Sequence, residues 1–402
     1  MLPVEKTVIV SAVRTPFGSF GGSLRGVPVI DLAALVLKEV IARVKLSPDE
    51  VEEIFLGVCC QAQSEEVIAP VIARQALINA GFPVETVSLT LDRACCSGMA
   101  AVQLAHRSIQ CGAVRIAIGG GAENMSLTPY VLPELRWGTR LRNVTLRDPL
   151  IISYRGVPVA RDAGEVALEY GITREEQDEW AVLSQRRYAV AKEAGKFKDE
   201  IVPVTVPGAR KGEQVVFSED EFPRPHTTLE KLAGLPTVYG SPTVTAGNAP
   251  GLNDGAAAVL VMTEGEARRR GLEPLAEIVA TASVAGAPRN IASVPAFAIR
   301  KVLSDAGLTV KDMELFEINE AFAAMPLTSS KILADGDSEL LKWIRERLNV
   351  NGGAIAIGHP VGASGARILM TMVYELRRRG GGYGVAAICG GMAQGDAIIV
   401  RV

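Results

Sequence analysis

Aromatic residues are scarce in this 402-residue chain, at 5%, histidine occurs three times, and neither sign of charge dominates, with 42 Lys+Arg against 45 Asp+Glu. A net charge of −3 therefore offers no general attraction to nucleic acid or to an anionic membrane. The basic triplets 268–270 and 377–379 stand at expected helix C-termini, where cations complement the helix dipole. No apolar run reaches the roughly 18 to 20 residues of a membrane span, and residues 7–13 (TVIVSAV) already read as a strand, so the cytoplasm is the expected compartment. Six cysteines (59, 60, 95, 96, 111, 389) show no CxxC spacing and have few histidines to join them, which speaks against a disulfide framework and a zinc site and predicts reduced thiols and no metal. A Walker A motif, HExxH and a correctly placed GxGxxG are all missing, against nucleotide hydrolysis, metalloproteolysis and NAD chemistry; the run Gly119–Gly121 is not spaced for phosphates.

What is present is apolar and small. Hydrophobic residues make up 48% and there are 40 glycines, enough for two or more domains in which helices pack closely on sheets, a layered α/β fold. The N-terminal region alternates apolar runs with helical patterns: TVIVSAV, a helix near 31–44, IFLGV, a helix near 67–80, VSLTL, a helix near 97–110, then VRIAIGG. This alternation predicts a mainly parallel sheet covered on both faces.

The C-terminal region repeats the plan. Residues 46–57 (LSPDEVEEIFLG) match 308–319 (LTVKDMELFEIN) with apolar positions in phase at an offset of 262, and Ser97-Gly98 and Ser364-Gly365 open helices at an offset of 267. Each of those helices leads through glycine into an apolar strand and a Gly-Gly (VRIAIGG, GVAAICGG). The inference is a duplicated pair of α/β halves, residues 1–121 with 252–274 and residues 275–402, whose pseudo-twofold brings equivalent loops together at one central site. Between them, 122–251 is rich in Pro, Arg and charge and reads as an inserted loop domain for ligand binding and subunit contacts, with one helix near 173–194 opened by a Thr173/Glu176 capping box.

Four places carry candidate chemistry. In Asp92-Arg-Ala-Cys-Cys-Ser-Gly98 a cysteine faces the positive end of a helix, which stabilises a thiolate, and residue type alone does not separate Cys95 from Cys96. His359, in a Gly- and Pro-rich loop ahead of another helix, is expected as a neutral, proton-accepting imidazole, whereas His106 and His226 have the contexts of structural or exposed residues. Cys389 ends a strand at the position equivalent to the first half's Gly turn. Asn319-Glu-Ala-Phe322 puts an amide and a carboxylate at the tip of a buried strand, where polar groups need partners.

In their order along the chain, the cysteine turn before Ser97-Gly98, Asn319-Glu-Ala-Phe322, Gly358-His359-Pro360 and Cys389-Gly-Gly391 resemble the thiolase family. Supporting stretches resemble it too: Arg14-Thr-Pro16, Gly121-Ala-Glu-Asn-Met-Ser126, Asp220-Glu-Phe-Pro-Arg224, and Thr245-Ala-Gly-Asn-Ala249 before Asn253-Asp-Gly255. The resemblance implies a thiolase-like fold of layered α-β-α-β-α halves and a reversible acyl transfer between coenzyme A and a cysteine, with condensation or cleavage of a 3-oxoacyl-CoA. Cys95 would be the nucleophile, His359 its base, and Cys389 the acid/base at the α-carbon. Asn319 would hold a water that forms one oxyanion hole with His359, and the amides of Cys95 and Gly391 would form another. Arg224 would lie against the adenine end of coenzyme A, and Ala246, Pro250, Phe322 and Val159 complete the expected substrate-binding set. Coenzyme A would come and go as substrate, with no permanent cofactor, and the protein would be a homodimer or homotetramer. Departures from the family pattern are Pro250, Val159-Ala160 in place of a Met-Gly, and Met392 where glycine is common, all on the acyl and pantetheine side. The alternatives are a condensing synthase on the same scaffold, which commonly lacks the second cysteine, and a non-catalytic coenzyme A-binding or scaffolding subunit.

Overall fold

In the computed structural model the described residues are 5–60, 69–133, 135–141, 144–150, 153–154, 156–208, 210 and 212–402. The first half runs β1 (Thr7–Arg14), α1 (Val29–Ala42), β2 (Glu53–Gly57), α2 (Ile72–Asn79), β3 (Val87–Leu91), α3 (Ser97–Gln110) and β4 (Ile116–Asn124). The segment from 125 to 252 contains α4 (Val159–Glu169) and α5 (Arg174–Glu193), after which β5 (Asn253–Thr263) returns to the sheet. The second half runs β6 (Ala276–Ala285), α6 (Val294–Ala306), β7 (Met313–Ile318), α7 (Ala324–Ala334), α8 (Ser338–Arg347), α9 (Ala354–Ile357), α10 (Ser364–Arg379), β8 (Tyr383–Gly390) and β9 (Gln394–Arg401). The expected helix near 67–80 begins at Ile72, and its first two expected residues lie outside the described set.

These strands form one sheet in the order β7-β8-β9-β6-β1-β5-β4-β2-β3, with Gly18–Ser19 beside β5. The halves meet where β1 runs antiparallel to β6, Thr7 opposite Ile278. On either side of that seam the order is the same, β1-β5-β4-β2 and β6-β9-β8-β7. Ser47 N donates to the Glu50 carboxylate at 2.8 Å and Thr309 N to the Asp312 carboxylate at 2.7 Å, so the same capping contact precedes β2 and β7.

The expectation of a mainly parallel sheet is corrected. Only β2 with β3, β2 with β4, and β7 with β8 are parallel; β1/β5, β1/β6, β4/β5, β6/β9 and β8/β9 are antiparallel. The connection from β8 to β9 is three residues, 391–393, too short for the crossover that parallel neighbours need. Direction left no trace in the sequence because β4, β5, β8 and β9 are buried on both faces and read as unbroken apolar runs either way.

Five layers result. Helices α1 and α2 cover the outer face of the first half's strands, α6 and α8 that of the second, and α3 and α10 fill the middle. The two central helices touch at their first turns through glycine. A Cβ on Gly98 would strike the Gly362 carbonyl, and one on Gly365 would strike the backbone of Met99, so the close approach admits no side chain. The expected helix near 173–194 is α5, with Thr173 Oγ1 accepting from Glu176 N at 3.2 Å and Glu176 accepting from Thr173 N at 3.0 Å.

Candidate active site

The nucleophile turn is held from several sides. Ala94 takes a left-handed φ of +52°, uncommon for a residue with a Cβ, and the strain persists because the neighbours over-determine it. Asp92 Oδ1 accepts from Ala94 N at 2.8 Å, while Ser97 Oγ accepts from Arg93 N at 2.7 Å and donates to Ala94 O at 2.6 Å. The turn leaves Cys95 partly buried just ahead of the N-terminus of α3.

Here structure separates the adjacent cysteines. Cys96 is fully buried, its thiol reaches the Arg93 carbonyl at 3.3 Å, and burial with the nearby Asp396 charge pushes it well above the ordinary thiol range. Cys95 goes the other way: a hydrogen bond from the Cys389 thiol, joined by the adjacent His359 imidazole, holds it well below that range against the opposing effect of burial. Cys389 is raised correspondingly, by its bond to Cys95 and then by burial. Residues 95, 359 and 389 thus share one site, although 264 positions separate the first two.

His359 sits in the loop between α9 and α10 and is buried, at 7% exposure. Its backbone N donates to Asn253 Oδ1 at 2.9 Å. Its Nδ1 lies 2.6 Å from Ser364 Oγ, and that hydroxyl donates to the Pro360 carbonyl at 2.9 Å. With the hydroxyl proton so engaged, Nδ1 carries a ring hydrogen toward Ser364, and Nε2, with no hydrogen-bond partner among the described residues, is the nitrogen left to exchange a proton. The Gly362 amide in this loop donates to Glu123 at 2.9 Å, as do Cys59 and Cys60, and burial raises Glu123 to about 7. Asn253, Ser364 and Glu123 are supports that sequence reasoning quoted or passed over without giving them a role.

Asn319 and Glu320 part company. Asn319 follows β7, its backbone N bonds Ala387 O at 3.0 Å, and its buried side-chain amide has no partner among the described residues. Glu320 points the other way and accepts from Trp180 Nε1, Ser184 Oγ, Asn349 Nδ2 and Ile355 N at 2.8–3.1 Å, bolting α5 to the second half. Two further fasteners explain other motif residues. Arg14 forks onto Asp220 at 2.6 and 2.9 Å while its Nε meets Glu200 at 2.7 Å, and Asn248 donates to Asp178 at 2.9 Å.

A cavity of about 480 Å³ opens between α5, the segment after Phe222 and α9, with Arg224, His226, Lys231, Ala246 and Ile355 in its wall. Arg224 lies over the Phe222 ring at 5.0 Å. Of the expected binding residues, Arg224 and Ala246 line this cavity; Pro250, Phe322 and Val159 are not among its lining residues. Val159 is the first residue of α4 rather than part of a loop, and Phe322 packs on the second half's core. His226 is exposed at the cavity wall, and His106 is a partly buried helical residue lowered to about 4 by burial. The Gly391 amide donates to the Arg93 carbonyl at 3.2 Å. Met392 and Ala393 both have positive φ, at 57° and 58°, which is why glycine suits that turn. Among the described residues no cluster of His, Cys, Asp or Glu is arranged to hold a metal ion, and no helix is long and apolar enough to cross a membrane.

A thiolase N-terminal domain model matches residues 7–265, and a thiolase C-terminal domain model matches residues 272–402. The chain belongs to the thiolase family. It is 45% identical to an acetyl-CoA acetyltransferase of Chromobacterium violaceum over 98% of this chain and 99% of that one, and 44% identical to that of Cupriavidus necator over 98% of each. Among solved structures it superposes on the Bacillus anthracis acetyl-CoA acetyltransferase with a TM-score of 0.92 at 41% identity, covering 99% of both chains. Human mitochondrial 3-ketoacyl-CoA thiolase in complex with CoA gives 0.91 at 38% identity, covering 99% of this chain and 98% of that one. This thiolase is accordingly an acyltransferase, working through acyl transfer between coenzyme A and a cysteine with making or breaking of a 3-oxoacyl carbon–carbon bond. Coenzyme A is a substrate of this reaction.

Proposed function

We propose that Cys95 takes the acyl group, that His359 Nε2 receives and returns its proton, and that Cys389 handles the proton at the α-carbon of the second acyl-CoA. The observation carrying this reading is the shared site of the three residues, in which Cys95 is held low while Cys389 is held high. A low thiol is a ready nucleophile near neutral pH; a high one, once deprotonated, is a base strong enough for a weakly acidic α-carbon. In condensation the Cys95 thiolate attacks the thioester carbonyl and the coenzyme A thiolate leaves with the proton held by His359. Cys389 then passes its thiol proton to His359, left neutral by the first step, and the resulting thiolate takes the α-proton of the second acyl-CoA; the carbanion attacks the Cys95 thioester, restoring the Cys95 thiolate beside a protonated His359. Cleavage runs the same steps backwards.

The free Asn319 amide supports its assignment as the holder of a water beside His359, giving one oxyanion site. The amides of Cys95 and Gly391 form the second, the long Gly391 bond to Arg93 being exchanged for the substrate oxygen. The segment 122–251 binds coenzyme A, with Arg224 against the adenine. Ala246, Pro250, Phe322 and Val159 belong to the acyl and pantetheine side. The substrate is a 3-oxoacyl-CoA range broader than acetoacetyl-CoA, a reading that rests on Pro250, Val159 and Met392. The protein works in the cytoplasm, in fatty acid metabolism, as a homodimer or homotetramer. Assembly is supported by β3, an edge strand of the sheet with Val87 at 61% and Leu89 at 47% exposure.

Incubation with acyl-CoA followed by mass spectrometry should trap the acyl group on the peptide containing Cys95, and Cys95→Ser should lower turnover by orders of magnitude. An undiminished rate would falsify the assignment. Turnover compared across acetoacetyl-CoA and longer and aryl 3-oxoacyl-CoAs tests the substrate reading, which exclusive activity on the shortest would overturn.

A further inference from the structure

Two turns carry the paired cysteines, one ahead of α3 and one at the end of β8, and they belong to different halves of the chain. Nothing in the covalent structure sets their spacing. A chain of hydrogen bonds that starts at the Arg93 guanidinium does. The Arg93 Nη1 donates to both carboxylate oxygens of Asp396 at 2.9 Å, and its Nε and Nη2 reach Gln394 Oε1 at 3.1 and 3.0 Å. Gln394 Nε2 in turn donates to the Gly391 carbonyl at 3.2 Å, which ties the hairpin turn to the Arg93 fork and leaves the Gly391 amide free to exchange its bond. Asp396 is fully buried on β9 opposite Ile388, one residue before Cys389. The two turns also touch directly: a Cβ on Gly390 would collide with Cys96 Sγ and with the Arg93 carbonyl.

A guanidinium that spends three nitrogens on two acceptors of one strand is a fixed fork, which an ammonium cannot reproduce. Its partner Asp396 has no exposure to water, so the pair is not loosened by solvent, although Arg93 itself keeps 26% side-chain exposure. We propose that Arg93 and Asp396 are positioning residues for the second half-reaction, clamping the Cys95 turn to the Cys389 hairpin at the separation that lets Cys389 exchange a proton with substrate carried on Cys95. This deepens the functional reading above and rests on its assignment of the two cysteines.

The clamp predicts a split between half-reactions. Exchange of labelled coenzyme A with acetyl-CoA forms and cleaves only the Cys95 thioester, with His359 moving the proton, and draws on Cys389 only as a hydrogen-bond donor to the thiolate. Thiolysis of acetoacetyl-CoA requires both. Arg93→Lys and Asp396→Asn, each assayed as the full chain with its melting temperature, should lose tenfold or more of thiolysis kcat and a clearly smaller factor of exchange, because exchange loses only the lowered thiol whereas thiolysis also loses the proton transfer at the α-carbon. In the same variants the pH midpoint of Cys95 alkylation by iodoacetamide should move upward, because a displaced Cys389 no longer donates to the thiolate. A parallel loss of exchange and thiolysis, or an unchanged thiolysis rate, overturns the clamp. Should one variant fail to fold, the other carries the test, since the two remove opposite ends of the same pair. Controls separate this from the underlying assignment: Cys95→Ser abolishing both reactions and Cys389→Ala abolishing thiolysis while exchange is weakened but measurable would uphold the assignment whatever the clamp variants do.

Discussion

Replacing Ser364 by alanine isolates the device that orients His359. Its hydroxyl accepts from Nδ1 at 2.6 Å and donates to the Pro360 carbonyl at 2.9 Å, so its loss leaves the ring with a hydrogen and no acceptor. The imidazole is 7% exposed, too little for water to take over freely. An unsatisfied buried donor costs about 1–3 kcal/mol. The ring can avoid that cost only by moving its hydrogen to Nε2, and that tautomer cannot receive the Cys95 proton. Both escapes slow the same step. At about 1.4 kcal/mol per factor of ten, kcat/KM should fall about 5- to 150-fold. The assay is thiolysis of acetoacetyl-CoA followed by loss of its enolate absorbance, with thermal melting alongside, and KM for coenzyme A should hold because Ser364 does not line the binding cavity. A Ser364→Ala enzyme within twofold of the parent at an unchanged melting temperature would refute the tautomer argument.

Three other outcomes follow from the geometry. Glu320→Gln presents one acceptor oxygen to donors from Trp180, Ser184, Asn349 and Ile355 and should cost about 3 kcal/mol or more, seen as a melting temperature lower by about 5 °C or more; an unchanged melt would mean α5 is held elsewhere. Gly98→Ala drives a methyl into the Gly362 carbonyl in the His359 loop, so both stability, by about 1–3 kcal/mol, and turnover should fall, and full activity would show that the loop yields freely. Cys95 is held low chiefly by the Cys389 thiol, so its thiolate persists below the ordinary thiol range and the midpoint of its alkylation by iodoacetamide should lie at lower pH than that of a free thiol. Cys389→Ala removes that contribution and should shift the midpoint to higher pH; a midpoint that stays or falls contradicts the coupling.

Local chemistry made much of this legible. The matching stretches at 46–57 and 308–319 revealed the duplication because capping and apolar phase are local, and both reappear at Ser47/Glu50 and Thr309/Asp312. Strand direction was illegible, since a run such as GVAAI satisfies a buried strand of either sense. Cys95 and Cys96 were inseparable by type, and only the left-handed turn at Ala94 decides which thiol meets Cys389. Asn319 and Glu320 looked alike as buried polar groups; what separates them is whether partners arrive from α5, 140 positions away. Arg93, Asn253 and Ser364 act through contacts at separations from 5 to 303 positions, and residue type announced none of them.

The meeting of the two central helices at Gly98 and Gly365 has an electrical side. α3 starts just after Cys95 and α10 five residues after His359, so two backbone amide ends converge there. Such a field is written into the main chain. No single side-chain replacement can remove it, and selection can retune the acyl pocket around the nucleophile without switching the nucleophile off.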